Sequence, residues 1–260
     1  MNMTKSFTRS LLAGFAALAV VAAATQVQAD SVPQVVTVVR VKGEARFTTD
    51  NRTWQSLKKG DVLKPGCVIQ TAPKSLVDIQ LGDRDAAVAP IAYNPTSPLY
   101  APEQQKANVV RIFENSALAV DKLTVDHSGS GEDMSDTQLD LRAGQIMGNV
   151  KKLSSASKYE VKIPNGVAGI RGTVYMISSS GVVNVLSGSV VIAIVGPDGT
   201  VITRVVTAHQ SYDPATNSIS NLTPQQVAVL QNLYNQLGGP PNTPPSGPVP
   251  GTPILYVSPN

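Results

Sequence analysis

From Gln34 to about Ile219 the chain alternates apolar and polar residues in short runs separated by turn residues. In SLVDIQLGD, Val77, Ile79 and Leu81 share one face and Asp78 and Gln80 the other, the period-two signature of a half-buried strand. TQLDLRAG places Leu139 and Leu141 inward in the same way, and KYEVKIP does so with Tyr159, Val161 and Ile163. Turn chemistry agrees: Lys59-Gly60-Asp61, Pro65-Gly66, Ser187-Gly188 and Pro197-Asp198-Gly199 all fall between β-branched runs. The valine-rich VVNVLSGSVVIAIVG reads as two strands joined by a tight turn and buried on both faces, which would remove the polar alternation. The pattern predicts an all-β fold of many short strands, a sandwich or solenoid-like β-domain over residues 30–219.

Two stretches interrupt this domain. Residues 89–107 hold four prolines and are expected to form a surface loop or insertion. Residues 126–136 are acidic and Gly/Ser-rich, as a solvated loop would be.

The pattern then changes period. Thr223-Pro224-Gln225-Gln226 supplies a capping threonine, a first-turn proline and a glutamine three positions after the cap, ahead of Val227, Leu230, Tyr234 and Leu237, with Gly238 as a stop. This predicts one C-terminal amphipathic helix over 220–238 whose apolar stripe packs on the β-domain. Its polar face has no lysine or arginine, which argues against a membrane role. Residues 239–260 are proline-rich and read as an extended tail or linker.

At the other end, Lys5 and Arg9, the apolar run Leu11 to Ala24 and the small-residue pattern Val27-Gln28-Ala29 have the form of a secretory signal. Cleavage after Ala29 and a periplasmic or secreted location are the expectation for residues 1–29. The apolar run has 14 residues, short of the roughly 20 that a membrane helix needs, and no later segment approaches that length. No membrane span is expected in the mature chain.

Removing Lys5 and Arg9 from 21 basic residues leaves 19 against 18 acidic ones, a formal charge of about +1. That is too small for electrostatic capture of nucleic acid. The single cysteine, Cys67, excludes an internal disulfide and reads as a small buried hydrophobe in a strand.

Candidate chemistry is sparse. The histidines are His127, in the acidic loop, and His209, in TAHQSYD, and no Gly-x-Ser-x-Gly elbow surrounds a serine. No CxxC, HExxH or paired histidine at ligand spacing offers a metal site. Asp83 and Asp85 in GDRDAA are the carboxylates an exported polysaccharide hydrolase would use, beside the plainer reading of a solvated turn. The residues therefore assign no catalytic, cofactor or metal site, and Trp54 reads as core edge.

GVAGIRGTVYMI sets Arg171 among apolar residues, with Gly166, Gly169 and Gly172 every third position. That spacing is neither a dinucleotide nor a P-loop fingerprint, and a strand follows it instead of a helix. A buried charge needs partners. Arg171 is therefore expected to be a structural pin bonded to Asp61 or to backbone carbonyls, so that Arg171→Lys would lower stability.

The order WQSLKKGDVLKPGCVIQTAPKSLVDIQLGD, LDLRAGQI, YEVKIPNGVAGIRGTVYMI and VVNVLSGSVVI resembles the FecR domain, named after the periplasmic sensor of iron dicitrate. The resemblance runs from about Val36 to Asn217. Its motif residues are Gly60, Asp61, Gly66 and Thr71, then Gly169, Ile170, Arg171, Gly172 and Thr173, and their expected role is structural. The resemblance implies an exported all-β module. The best-known members receive a signal from an outer-membrane transporter and pass it to a cytoplasmic anti-sigma segment. This chain shows neither that segment nor an internal membrane helix, so the implied role is a non-catalytic binding, sensing or scaffold module of the envelope, with an envelope protein or polymer as partner and no cofactor.

Overall fold

The computed structural model describes residues 31–82, 108–127, 133–196 and 198–237. The leader 1–29 with its cleavage site, Asp83 and Asp85, the 89–107 insertion, the centre of the 126–136 loop and the tail 239–260 lie outside the described residues.

Along the chain the first strands are β1 (Ser31–Pro33), β2 (Val36–Lys42), β3 (Ala45–Thr48), β4 (Gln55–Ser56), β5 (Val62–Leu63), β6 (Cys67–Thr71) and β7 (Leu76–Leu81). There follow β8 (Val109–Ile112), β9 (Ala117–Asp126), β10 (Met134–Ala143), β11 (Gln145–Asn149), β12 (Lys158–Ile163) and β13 (Gly166–Ile170). The last are β14 (Val174–Ser178), β15 (Val183–Ser187), β16 (Ser189–Val195), β17 (Val201–Thr207), β18 (Gln210–Asp213) and β19 (Ser218–Asn221), before helix α1 (Pro224–Asn235).

These strands form two sheets. The first, sheet A, has the order β17-β16-β13-β12-β10-β9-β6-β3-β4, with β1 added on β9; the second, sheet B, has the order β19-β18-β15-β14-β11-β8-β7-β2-β5. Hairpins alternate between layers: β9–β10 and β12–β13 lie in A, β14–β15 in B, β16–β17 in A and β18–β19 in B. All pairings are antiparallel except β10 with β12, which run parallel because β11 crosses to sheet B between them. That pair is a seam: strands up to residue 149 lie on one side of the sandwich and strands from residue 158 on the other.

The core lies between the layers and contains the inward residues expected from the alternation: Val77, Ile79, Leu81, Leu139, Leu141, Tyr159, Val161 and Ile163. Burying each such side chain contributes roughly 1.5–3 kcal/mol. At its centre the Tyr159 and Tyr175 hydroxyls meet at 3.1 Å, with the rings edge to face. Gly148, opposite Tyr175 on β11, leaves the space that this ring fills. Desolvation pushes both phenols above their ordinary pKa. Cys67 is fully buried in β6, as its apolar setting predicts, and desolvation raises its thiol to about 11.

Two strand readings are corrected. Asp78 and Gln80 are also buried, so β7 is covered on both faces. VVNVLSGSVVIAIVG is not a hairpin, because β15 and β16 belong to different sheets. Nor is β16 covered on both faces: Val191 and Val195 are exposed.

The helix starts where the sequence predicts. Thr223 accepts the Gln226 N–H, and the Gln226 side chain accepts the Thr223 N–H, a complete capping box. Val227, Leu230, Leu233 and Tyr234 pack on Met147, Val174, Met176 and Leu186 of sheet B.

Candidate functional site

The Arg171 segment builds a corner at which the chain changes sheet, held by a hydroxyl clasp. Between β13 and β14, Gly172 turns with φ +64°, and the Thr173 hydroxyl donates to the Arg171 carbonyl at 3.2 Å and the Ser189 carbonyl at 2.8 Å. It also accepts the Ser189 N–H at 3.1 Å, just past the opposite corner at Gly188. A Cβ on Gly188 would collide with Gly172 and Thr173, so glycine is required there by space as well as by its φ of +83°.

The same clasp recurs twice. Ser75, between β6 and β7, accepts the Glu44 N–H at 2.9 Å and donates to the Pro73 carbonyl at 3.1 Å, facing Gly43. Ser116, between β8 and β9, accepts the Gln145 N–H at 3.0 Å and donates to the Glu114 carbonyl at 3.1 Å, facing Gly144. In all three the residue before the hydroxyl is left-handed: Lys74 at φ 56°, Asn115 at 53° and Gly172 at 64°. Pro73-Lys74-Ser75, Glu114-Asn115-Ser116 and Arg171-Gly172-Thr173 are therefore equivalent, and the first residue of each triplet contributes only its carbonyl to the clasp.

That equivalence corrects the reading of Arg171. Its side chain is exposed and makes no hydrogen bond or ion pair with the described residues. Asp61 instead accepts the Lys58 N–H at 2.8 Å in its own turn. Thr173, not Arg171, is the pin. Of the other motif residues, Gly60 and Gly66 occupy turns at φ 93° and 92°, and Thr71 accepts the Ser116 N–H at 3.0 Å, buttressing the second clasp. Gly169 and Ile170 close β13, with Ile170 in the core.

The sites that sequence reasoning missed lie under α1. Arg40, Asp78 and Arg111 are successive cross-strand neighbours on β2, β7 and β8, all on the outer face of sheet B and all buried. Arg111 grips Asp78 bidentately, Nε to Oδ1 at 2.7 Å and Nη2 to Oδ2 at 2.8 Å. Its remaining donors reach the end of the helix, Nη2 to the Gln236 carbonyl at 2.6 Å and Nη1 to Leu233 at 3.4 Å. Arg40 Nη1 also reaches Gln236 at 3.4 Å, while its Nε is buried with no hydrogen-bond partner among the described residues. The last turn of α1 has no basic residue of its own. The sheet supplies the cations that its negative dipole end attracts. The available signal was a lone arginine in VVRIF and a lone aspartate in LVDIQL, at positions that a half-exposed reading places in solvent.

Both histidines are on the surface. His127 pairs with Asp133 at 2.9 Å on the surface, and His209 is exposed in a left-handed turn. Among the described residues no group of three or more His, Cys, Asp or Glu side chains could hold a metal. Trp54 is half-buried beneath the Arg46 guanidinium, 4.4 Å from its ring centre.

Comparison with known proteins finds a family match for the middle of the chain. The family model described as FecR protein matches residues 104–191. The FecR resemblance is borne out over that stretch, which spans β8 to β15 and the start of β16, including two of the three clasps. Gly60, Asp61, Gly66 and Thr71 precede it. No curated protein matches the chain. Among solved structures, two crystal structures from Parabacteroides distasonis ATCC 8503, described as a candidate anti-sigma factor, are similar at TM-scores of 0.33 and 0.34 and 12% identity. The match covers 47% of this chain and 55% of each of those chains, about half their length. Among the described residues no helix is long and apolar enough to cross a membrane.

Proposed function

We propose that this protein is an exported FecR-type module that binds or senses a protein or polymer of the cell envelope without catalysing a reaction. The observation that carries this reading is the FecR match across the centre of the sandwich. The leader-like first 29 residues support export. The polar groups that the described fold buries also support it, since Asp78 and Arg111 are spent on each other and on the helix end, and Thr173, Ser75 and Ser116 on the corners. Arg171, the most conspicuous charge of the motif, is exposed on the surface and so accessible to a partner.

The test has two parts. Mass spectrometry of the chain recovered from the envelope fraction is expected to find an N-terminus at Asp30. A photo-crosslinker at Arg171 is expected to capture the same envelope component reproducibly, with loss of capture when that component is removed. Cytoplasmic retention of the uncleaved chain, or turnover of envelope polysaccharide by the purified protein, would overturn the proposal. A hydrolase working through Asp83 and Asp85 is the competing reading, and nothing in the described residues favours it.

A further inference from the structure

Strand β17 is the outermost strand of sheet A and is seven residues long, whereas the other three outer strands, β4, β5 and β19, have two, two and four. Short outer strands are one of the ways proteins avoid edge-to-edge association. β17 lacks that protection. It has no proline, no lysine and no register shift against β16. Its outer face continues into four exposed valines, Val191, Val195, Val201 and Val205, between 46% and 66% exposed, with Val191 paired to Val205 and Val195 to Val201. A row of unpaired backbone groups beside an apolar strip is a template for another strand.

The geometry points to a second copy of this chain as the occupant, added antiparallel through β17 with the two-fold axis at Thr203. In that register Val201 faces the partner's Val205, Thr203 faces the partner's Thr203, and on the inner face Ile202 faces the partner's Arg204. Centring the pair on Arg204 instead would oppose two guanidiniums, which like-charge repulsion disfavours. Arg204, half-buried on the inward side, is the one guarding charge on this strand, and the Thr203-centred register sets it against an apolar residue. The two valine strips then form one continuous surface across a twenty-stranded sheet, two copies of the ten-stranded one. Four half-exposed valines fall well short of the roughly 800 Å² that each partner of a stable complex buries. Backbone pairing carries the rest, and the dimer is accordingly concentration-dependent.

Analytical ultracentrifugation of the mature chain from micromolar to millimolar concentration is expected to show a monomer–dimer equilibrium. Val205→Glu, at an exposed position, is expected to weaken it at least about tenfold, since each dimer loses two valine pairs. Copper-phenanthroline oxidation is expected to link Thr203→Cys into dimers faster than Ser56→Cys on the opposite outer strand, the buried Cys67 staying silent in both. A monomer throughout the range, or a dimer indifferent to Val205→Glu whose Thr203→Cys variant links no faster than Ser56→Cys, would overturn the inference.

Discussion

Thr173 and Arg171 exchange importance once side chains are placed. The threonine hydroxyl makes three bonds at a corner, and the arginine contributes only a carbonyl. Thr173→Val keeps the shape and leaves buried backbone groups unpaired, so unfolding in urea is expected to show a loss of about 1–3 kcal/mol. Arg171→Ala should stay within about 0.5 kcal/mol of the parent, as exposed positions do. Equal losses for the two would contradict the clasp. Cys67 gives a pH signature. Its thiol titrates near 11 when folded against an ordinary 9.0, so the folded chain holds a proton that the unfolded chain has lost. Its contribution is complete below pH 9 and disappears as pH rises towards 11. Cys67→Ala should flatten the decline of the urea midpoint over that window, although its cavity lowers the midpoint at neutral pH. The buried tyrosines add to the fall from about pH 10, their ordinary value, upward.

At the level of elements, α1 is a short helix, marginal by itself in water, that owes its place to a strip of apolar contacts and to an ion pair beneath its last turn. Removing one partner of such a pair leaves the other charge buried. Asp78→Asn is expected to cost about 3–5 kcal/mol and to speed amide exchange in α1, while Asp78→Leu with Arg111→Met should recover most of the loss. If the single change left α1 as protected as before, the pair would not be what holds it. The helix itself was legible in the sequence, because Thr223, Pro224 and Gln226 are a local signal that needs no tertiary knowledge. The cover it provides was not. Period two in LVDIQL reports that Asp78 and Gln80 face away from the core but not what lies over them, so a strand with two covered faces reads as half-exposed. The hairpin reading of VVNVLSGSVVI failed for a related reason: Ser187-Gly188 marks a tight turn, and only the facing Thr173, 15 residues earlier in the numbering, makes that turn a corner between layers. The equivalence of Lys74-Ser75, Asn115-Ser116 and Gly172-Thr173 was hidden too, since what they share is a backbone angle and a hydroxyl, not a residue identity.

On the scale of the whole molecule, alternating hairpins make a sandwich that grows at its sides, which is why the FecR match can occupy the centre while strands continue beyond it in both directions. Deleting α1 by ending the chain at Asn221 should leave the strand signal in circular dichroism intact but uncover Met147, Met176 and Leu186, detectable as binding of a hydrophobic dye. Loss of the strand signal as well would mean that the helix is needed for the layers to pack at all. The parallel seam between β10 and β12 has a temporal meaning. Synthesis delivers everything on one side of it, residues 31 to 149, before any strand of the other side exists, so the first half can close and then present β10 and β11 as bare margins. The later strands add to those margins one hairpin at a time. For as long as they are missing, the half-built molecule displays its longest free strand edge, that of ten-residue β10 on the side away from β9, and that interval is when this chain most needs protection from its neighbours.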